Sequence, residues 1–451
     1  MEVAEPVAEL RSFLDEGQDP QLRAFCEGFH PAALAEHLEE MEPEERVMVM
    51  TKLEPQFRAE LLGHLEPTAQ IDTVELFSDA ELARTVTYMP SDERVDMLKI
   101  LPEDRVEEVL RTVAKAERED ILRLGAYDEG TAGAIMTSEY AAVTADLTAR
   151  EALDQLRTQA PDKETIYVAY VIDDHRHLIG LVSLKDLVVA KANTPVEDLM
   201  TVDPVVAYTY EKQEEVARRL SQYDLIAIPV VNPNNVLVGI VTFDDVLDVT
   251  EAETTTDFHR MAAAGLMTTS LRDASIWLLY QKRVPWLLIL VFMNVFSGYA
   301  ISRHEATIEQ YVALVFFLPL LIDSGGNAGS QSATLMVRAL ATGDVHIPDW
   351  LRLLGREVLV ALAIGISMGL AVSTIGVFRG GPDVAVVVAV TMVLLVLTGS
   401  LIGMLLPFGL TWSRLDPASA SAPLVTSLAD IAGVLIYFGI AAWYLELQPM
   451  G

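Results

Sequence analysis

Cysteine and basic residues are scarce in this sequence. Cys26 is the only cysteine among 451 residues, so the chain cannot form an internal disulfide, which fits a reducing compartment. Lysine and arginine number 32 against 65 aspartates and glutamates, giving a net charge of −33. Such an acidic excess repels nucleic acid and attracts cations. The sequence also shows no P-loop or nucleophile–base motif, and its histidines have no ligand spacing beyond His175 and His177, so we do not expect an enzyme.

The acidic charge is confined to one part of the chain. Residues 271–451 carry 11 acidic and 9 basic residues, which leaves 54 acidic and 23 basic residues, a net of −31, in residues 1–270. With a mean hydropathy of +0.31, this predicts an acidic soluble half followed by a nearly neutral membrane half. Solubility or adaptation to salt is the alternative reason for the acids. Met1 to Pro6 is acidic and lacks a basic, apolar leader, so we expect no cleaved signal peptide and a cytoplasmic soluble half.

A short repeat covers residues 20–125. Prolines or acidic turns recur every 11 or 12 residues, at Pro43, Pro55, Pro67, Ser78-Asp79, Pro90 and Pro102. Proline at a first helical position, with acids in the first turn, is a typical helix start. The repeat predicts short helices stacked into a small solenoid or superhelix, and a plain helical bundle is the alternative.

A longer repeat covers residues 135–250. Ile135-Met136-Thr137 returns 64 residues later as Leu199-Met200-Thr201, and the segment 179–187 returns as 238–246. This pattern resembles a tandem pair of α/β CBS domains. In that family a Ser/Thr-x-x-Asp unit can hold an adenosine ribose, and the units here are Ser183 with Asp186 and Thr242 with Asp245. The alternative is that each unit only caps the helix that follows its strand.

The remaining segments predict a connecting helix and five membrane spans. Leu247 to about Tyr280 is predicted as one long helix with acids on two flanks, which either share a cation with a neighbouring domain or are simply solvated. The spans are predicted near 284–302, 310–340, 354–378, 384–411 and 421–445. The basic residues favour a cytoplasmic N-terminus and an extracytoplasmic C-terminus. Six of them lie at predicted inner ends (Lys282, Arg283, Arg338, Arg352, Arg356 and Arg414), against Arg303 and Arg379 outside.

Polar groups within two of these spans predict a cation pathway. The small, polar run Ser324–Thr334 interrupts the second span, and Asp430 lies in the fifth, where a carboxylate costs about 3 kcal/mol on insertion scales. Three spans carry Gly-x-x-x-Gly pairs, at 325/329, 365/369 and 399/403. The second and third pairs favour close helix packing, whereas the polar neighbours of the first pair favour a pore lining. A homodimer would bring two copies of Asp430 to one site. A structural hydrogen bond is the alternative role for Asp430. The predicted pore-lining residues are Gly325, Gly326, Asn327, Gly329, Ser330, Thr334, Ala422 and Thr426.

Three segments together resemble the MgtE family of magnesium channels or transporters. They are Gly325–Thr334, Asp416-Pro417-Ala418 and Pro423–Asp430. The resemblance implies a homodimer with Asp430 at the ion site and a gate that cytosolic Mg²⁺ closes. It also implies a set of further magnesium-binding acids, namely Glu60, Asp92, Asp96, Glu214, Asp224, Asp245, Asp248, Glu253, Asp257 and Asp416. ATP binding at the CBS pair is a further implication. Ser330 and Ala422 stand where some members have asparagine, and Lys212 and Thr256 where some have acids.

The sequence thus predicts a multidomain membrane protein of the inner membrane. Residues 1–130 form a superhelical helical N domain, 131–250 the CBS pair, 251–280 a connecting (plug) helix, and 281–451 an all-α transmembrane domain with five helices. The expected function is magnesium-selective, magnesium-gated import. The alternatives are a pathway for another divalent cation such as Mn²⁺ or Co²⁺, or a membrane-tethered metal or nucleotide sensor that conducts nothing.

Overall fold

The computed structural model describes residues 4–262, 265 and 274–446. The chain divides into two compact units, Met1–Glu253 and Thr254–Gly451. Among the described residues, the first unit contains most of the short helices and the seven strands, and the second contains the long apolar helices. Each unit is described by itself below.

The first unit begins with ten short helices. In α3 to α6 proline is the first residue, because it has no N–H to leave unpaired at a helix start. Helices two apart pack together, as α3 does with α5, α4 with α6, and α8 with α10. The helices are α1 (Ala4–Asp15), α2 (Asp19–Cys26), α3 (Pro31–Glu39), α4 (Pro43–Lys52), α5 (Pro55–Gly63), α6 (Pro67–Leu76), α7 (Asp79–Val86), α8 (Ser91–Lys99), α9 (Glu103–Thr112) and α10 (Lys115–Leu124). The helical N-terminal region is confirmed, and its superhelical path stays a prediction.

A buried arginine ties successive helices together at three places in this array. Arg46, Arg58 and Arg94 each lie in the first turns of a helix, and each donates from Nε to a carbonyl eight residues earlier and from Nη2 to one five residues earlier. The Nε distances are 3.0, 2.8 and 2.9 Å. These carbonyls lie at the end of the preceding helix or just beyond it, and the guanidinium adds a side-chain bond to each of them. The repeat is therefore held by polar bonds as well as by its apolar core.

Two small sheets with helices follow the helical array, as a CBS pair requires. The first sheet has the order β1-β2-β3-β4, and the second has the order β5-β6-β7. In each sheet, the first two strands pair in parallel and the second and third pair antiparallel. In the antiparallel pairs, Val168 lies opposite Ser183 and Ala227 lies opposite Thr242. The elements are β1 (Tyr140–Val143), α11 (Ala149–Gln159), β2 (Thr165–Ile172), β3 (Leu178–Ser183), α12 (Leu184–Val189), β4 (Thr201–Val202), β5 (Ala207–Tyr208), α13 (Gln213–Gln222), β6 (Ala227–Val231), β7 (Leu237–Thr242) and α14 (Phe243–Met261).

One apolar core joins the helical array to the second sheet. This core includes Leu10 and Leu98 of the helical array together with Ile228 and Val246, and each of these four residues is at most 4% exposed. Ser91 adds a polar link, because its hydroxyl lies 3.0 Å from that of Thr137. The start of α8 and the start of α14 therefore belong to one packed body.

The connecting helix is shorter than predicted. Helix α14 ends at Met261, and Ser275 caps a new helix by accepting from the N–H of Leu278 at 3.1 Å. The prediction of one continuous helix to about Tyr280 is therefore wrong, because a serine N-cap starts a separate helix at Ile276. Residues 263–264 and 266–273 of the predicted helix lie outside the described residues.

In the described part of the chain, the second unit consists of long apolar helices and one short helix, Glu305–Gln310. They are α15 (Ile276–Ser302), α16 (Glu305–Gln310), α17 (Ala313–Ala341), α18 (Trp350–Trp412) and α19 (Ala422–Glu446). Among the described residues, four helices are long and apolar enough to cross a membrane, rather than the five predicted. The difference comes from α18, whose 63 residues include both the third and the fourth predicted spans.

Helix α18 folds back on itself at Gly381. There the backbone has φ 80° and ψ 178°, which favours glycine and does not continue a helix. On either side the chain packs against itself: a Cβ atom on Gly376 would lie 2.7 Å from the Cα of Ala385, and one on Gly365 would lie 2.9 Å from the Cα of Val393. The predicted third and fourth spans are thus the two arms of a helical hairpin.

Candidate ion pathway and acidic cluster

Glycines bring α17 and α18 into backbone contact. A Cβ atom on Gly399 would overlap the carbonyl oxygen of Gly325, and one on Gly403 would overlap that of Gly329. Both Gly-x-x-x-Gly pairs therefore lie at a packing seam, where small residues allow the close approach. Gly325 lies against Leu395 of α18, and Gly329 lies against both Gly399 of α18 and Val425 of α19.

The neighbouring face of α17 meets the polar residues of α19. A Cβ atom on Gly326 would lie 2.8 Å from Cγ2 of Thr426 and 3.5 Å from Oδ1 of Asp430. One turn further along, the Ser330 hydroxyl lies 3.0 Å from that of Thr426 and 3.3 Å from the carbonyl oxygen of Ala422. Gly326, Ser330, Ala422, Thr426 and Asp430 are thus brought together along one helix–helix contact.

The Asp430 carboxylate has an unpaired oxygen inside this contact. Its Oδ1 atom is buried and has no hydrogen-bond partner among the described residues. The charge that acts on it most strongly is another carboxylate, Asp323 of α17. A buried carboxylate beside a second one is expensive without a cation. This argues against a purely structural hydrogen bond as the role of Asp430.

Asp323 was missed by the sequence analysis, although it directly precedes the polar run. It begins a line of polar side chains along α17 that continues with Asn327, Gln331 and Thr334, all exposed in the single chain. Residues three and four apart on a helix share a face. A polar line of this kind cannot lie in hydrocarbon, so protein or water must cover it.

A second group of carboxylates lies in the first unit, where α8 meets the start of α14. Asp92 is 9% exposed, and its Oδ1 atom has no partner among the described residues. Burial and the adjacent Asp245 raise the pKa of Asp92 well above its usual range. Burial also raises the pKa of Asp245, although bonds from Thr242 oppose the change. The two carboxyl groups therefore compete for one proton or one cation.

Further acids surround this pair. Loss of hydration around the carboxyl groups, followed by repulsion from Asp245 and Asp244, raises the pKa of both Glu93 and Glu164 to about 7. Both residues are nevertheless exposed as whole residues, so solvent weakens this repulsion. Burial and Asp244 raise the pKa of Asp248 as well. Sequence reasoning missed Glu93, Glu164 and Asp244. Glu93 and Asp244 adjoin predicted acids, whereas no sequence signal connects Glu164 to them. We call Asp92, Glu93, Glu164, Asp244, Asp245 and Asp248 the acidic cluster.

The other predicted magnesium-binding acids are dispersed. Asp96 pairs with Lys99 at 3.0 Å, and Glu253 accepts from Gln213 at 3.1 Å. Glu60, Glu214 and Asp224 are exposed, and Asp257 is partly exposed on α14. Among the described residues, no group of three or more acidic, histidine or cysteine side chains is arranged to hold a metal ion. The sensor residues therefore stay predictions.

Both Ser/Thr-x-x-Asp units form local bonds. The Ser183 hydroxyl donates to Asp186 at 2.6 Å and accepts from its N–H at 3.0 Å, which caps α12. The Thr242 hydroxyl donates to Asp245 at 2.5 Å at the start of α14. These are capping bonds, as the alternative interpretation expected. They do not exclude a ribose, since a carboxylate oxygen accepts more than one bond.

Three family models match consecutive parts of the chain. The model described as MgtE intracellular N domain matches residues 29–130, the CBS domain model matches 132–193 and 196–251, and the model described as divalent cation transporter matches 318–440. Together with the long apolar helices, these matches define a membrane transporter of divalent cations that carries a CBS pair.

Individual relatives agree with this assignment. The magnesium transporter MgtE of Thermus thermophilus is 42% identical over 323 residues, which cover 72% of each chain. That of Bacillus subtilis is 36% identical over 71% of each. A solved structure of the cytosolic domain of the Mg²⁺ channel MgtE in complex with ATP is 37% identical, with a TM-score of 0.52. The match covers 54% of this chain and 99% of that one. The chain belongs to the MgtE family.

Proposed function

We propose that this protein imports Mg²⁺ through a pathway lined by α17 and α19, with Asp430 as its ion-binding group. The observation that carries the proposal is the unpaired Oδ1 of Asp430 beside Gly326, Thr426 and a second carboxylate, Asp323. Mg²⁺ prefers oxygen ligands and sheds its water reluctantly, so small neighbours suit a hydrated ion. The names of the relatives support magnesium as the ion.

The pathway lies at a homodimer interface in this proposal. The polar line from Asp323 to Thr334 is exposed in the single chain, and a second copy related by a two-fold axis would cover it. The same axis would place two Asp430 carboxylates around one ion. The pore-lining set then includes Asn327 and Thr334 together with Ser330, Ala422 and Thr426.

Five crossings with a cytoplasmic N-terminus are part of the proposal. The reversal of α18 at Gly381 supports counting its two arms as separate spans. The basic residues fall mainly at the ends that this topology places inside, six against two. The C-terminus is then extracytoplasmic, and the membrane is the inner one. The domain limits 1–130, 131–250 and 281–451 are proposed as predicted, whereas the segment 251–280 between them contains the end of α14 and the start of α15 rather than one connecting helix.

The acidic cluster closes the gate when cytosolic Mg²⁺ binds. Without cations, its carboxylates repel one another and retain protons near neutral pH, as the pKa of about 7 for Glu93 and Glu164 indicates. A divalent ion relieves this repulsion and favours the compact arrangement of α8 and α14. The predicted sensor acids outside the cluster, Glu60, Asp96, Glu214, Asp224, Glu253, Asp257 and Asp416, add to the same response.

Flux into liposomes tests the pathway. We expect the wild type to transport Mg²⁺ into vesicles that hold a Mg²⁺-sensitive dye, and Asp430→Asn to reduce the rate at least tenfold. Asp344→Asn, an exposed acid between α17 and α18, is the matched control and leaves the rate unchanged. Equal flux in wild type and Asp430→Asn would remove Asp430 from the pathway. Flux of Mn²⁺ or Co²⁺ without Mg²⁺ would favour a different ion, and no flux of any of these ions would favour a sensor.

ATP binding at the CBS pair is proposed as a modulating function. A solved neighbour of this soluble part is described in complex with ATP, and both Ser/Thr-x-x-Asp units are present at matching strand ends. Calorimetry on the full chain tests it. We expect ATP to bind to the wild type and to lose affinity in at least one of Asp186→Asn and Asp245→Asn, while Asp154→Asn on α11 binds normally. If ATP gave no heat of binding with the wild type, the proposal of ATP binding would be wrong.

A further inference from the structure

A cavity lies in the second unit where the polar start of α15 becomes apolar. Its volume is about 360 Å³, within the range of small-molecule sites. It is lined by Arg260, Gly265, Gln281, Lys282, Pro285, Trp286, Ile289 and Ser419. Lys282 and Arg283 are the last charged residues before the apolar run of α15 begins at Val284. In the topology above, this cavity is at the level of the lipid headgroups.

The cavity has an unused hydrogen-bond donor. The indole Nε1 of Trp286 is buried and has no partner among the described residues. Tryptophan can only donate through this nitrogen, so any compensating ligand must supply an acceptor. A buried donor without an acceptor is costly, which makes this indole an unusual feature of a folded chain.

The charge of the lining favours an anion with one negative charge. Arg260 is paired with Asp416, so their charges cancel, and Lys282 supplies the remaining positive charge. Gln281 and Ser419 add further polar groups that can donate. Pro285 and Ile289 form the apolar side, and Ile289 is 48% exposed. A ligand that fits both sides has a phosphate at one end and hydrocarbon at the other.

We propose that this cavity binds the headgroup of an anionic phospholipid, with the phosphate accepting from Trp286 and lying beside Lys282. Hydrocarbon follows Pro285 and Ile289 along α15. Among the described residues of the lining, Lys282 is the one unpaired positive charge, and it suits an anionic lipid better than a zwitterionic one, whose ammonium group would be repelled. The site is separate from the ion pathway, because none of the pore-lining residues borders it.

Native mass spectrometry of the full chain in detergent tests the site. We expect one phosphatidylglycerol to be retained per protomer, at an affinity at least about tenfold above that for phosphatidylcholine. Trp286→Phe keeps an aromatic side chain of smaller size and removes the N–H donor, and Lys282→Gln removes the positive charge. Each should weaken phosphatidylglycerol binding by about tenfold, the effect of one charge-assisted hydrogen bond. Arg283→Gln is the matched control, since Arg283 is adjacent but does not line the cavity, and should change the affinity less than twofold.

Several outcomes would overturn the proposal. One is an equal affinity for phosphatidylglycerol and phosphatidylcholine. Another is an affinity for phosphatidylglycerol that neither Trp286→Phe nor Lys282→Gln changes. Displacement of the lipid by millimolar inorganic phosphate would show a free-anion site instead. A crosslink from this cavity to a second copy would show that protein fills it. If Trp286→Phe does not fold, judged by its elution and melting, Lys282→Gln carries the test alone.

Discussion

Arg260, next to the last residue of α14, donates to the carboxylate of Asp416. The other oxygen of the same carboxylate accepts from the N–H of Ala418 at 2.7 Å and caps the short 3₁₀ helix Pro417–Ser419. One side chain thereby ties the end of α14 to the segment that precedes α19. The family resemblance assigns Asp416 to magnesium binding, yet here a guanidinium occupies it. A cation and Arg260 must therefore compete for Asp416.

This competition gives a prediction for gating. Because Arg260→Gln frees the carboxylate, we expect it to lower the cytosolic Mg²⁺ concentration that half-inhibits flux by about fivefold, the equivalent of roughly 1 kcal/mol. Asp416→Asn should raise that concentration, and the double variant should behave like Asp416→Asn. Arg356→Gln on α18 serves as the control. If Arg260→Gln instead raised the concentration, the ion pair itself, and not a metal at Asp416, would hold the gate closed.

The glycine seam between α17 and α18 gives a prediction for stability. Gly399→Ala should destabilise the second unit by about 1–3 kcal/mol, since its Cβ meets the backbone of Gly325, which cannot move aside. Gly409→Ala, on the same helix with nothing within 4 Å of a Cβ atom, should leave the melting temperature unchanged. The measurement is the melting temperature of the full chain in detergent. If Gly399→Ala and Gly409→Ala melted at the same temperature, the close backbone contact between Gly399 and Gly325 would be contradicted.

The acidic cluster gives a prediction for pH dependence. Glu93 and Glu164 have a folded pKa of about 7 against an ordinary value of 4.5. Between these values the folded state holds more protons than the unfolded state, so stability is greatest below pH 4.5 and is lost as pH rises to 7. At low pH, protonation of other carboxyl groups that are paired in the folded state lowers the stability again. We therefore expect residues 1–253, without divalent ions, to melt at lower temperature at pH 7.5 than at pH 5.5.

Substitution within the cluster should flatten this dependence. Glu164→Gln should recover roughly 3 °C of melting temperature at pH 7.5, measured by circular dichroism. Glu27→Gln, an exposed acid outside the cluster, should recover nothing. Added Mg²⁺ should stabilise the wild type more at pH 7.5 than at pH 5.5, because metal and protons compete for the same oxygens. A melting temperature that rises from pH 5.5 to 7.5 without metal would refute the raised pKa values.

Much of the architecture could be predicted from local sequence signals. Pro43, Pro55 and Pro67 each begin a helix where the repeat places one, because the preference of proline for a first turn is local. The strand-and-cap repeats around Ser183 and Thr242 indicated the two sheets in the same way. The continuous helix to Tyr280 failed because the Ser275 cap, also a local signal, was overlooked.

The site could be predicted only in part, since it depends on contacts between distant segments. Asp430 and Ser330 were found because a polar group in an apolar span is conspicuous by itself. Glu164 joins the acidic cluster only because folding brings it near Asp245, 81 residues later in the chain. Neither hydropathy nor charge spacing showed that Gly325 packs against Gly399, or that Arg260 pairs with Asp416.

Asp323 gives the last prediction, because its charge acts directly on Asp430. A second carboxylate beside the ion-binding group raises the local concentration of cations. We therefore expect Asp323→Asn to raise the Mg²⁺ concentration for half-maximal flux by about threefold to tenfold and to leave the maximal rate near that of the wild type. Asp323→Glu should retain the wild-type value, and the effect should shrink at high ionic strength, where charges are screened. A loss of maximal rate without a change in the half-maximal concentration would assign Asp323 a packing role instead.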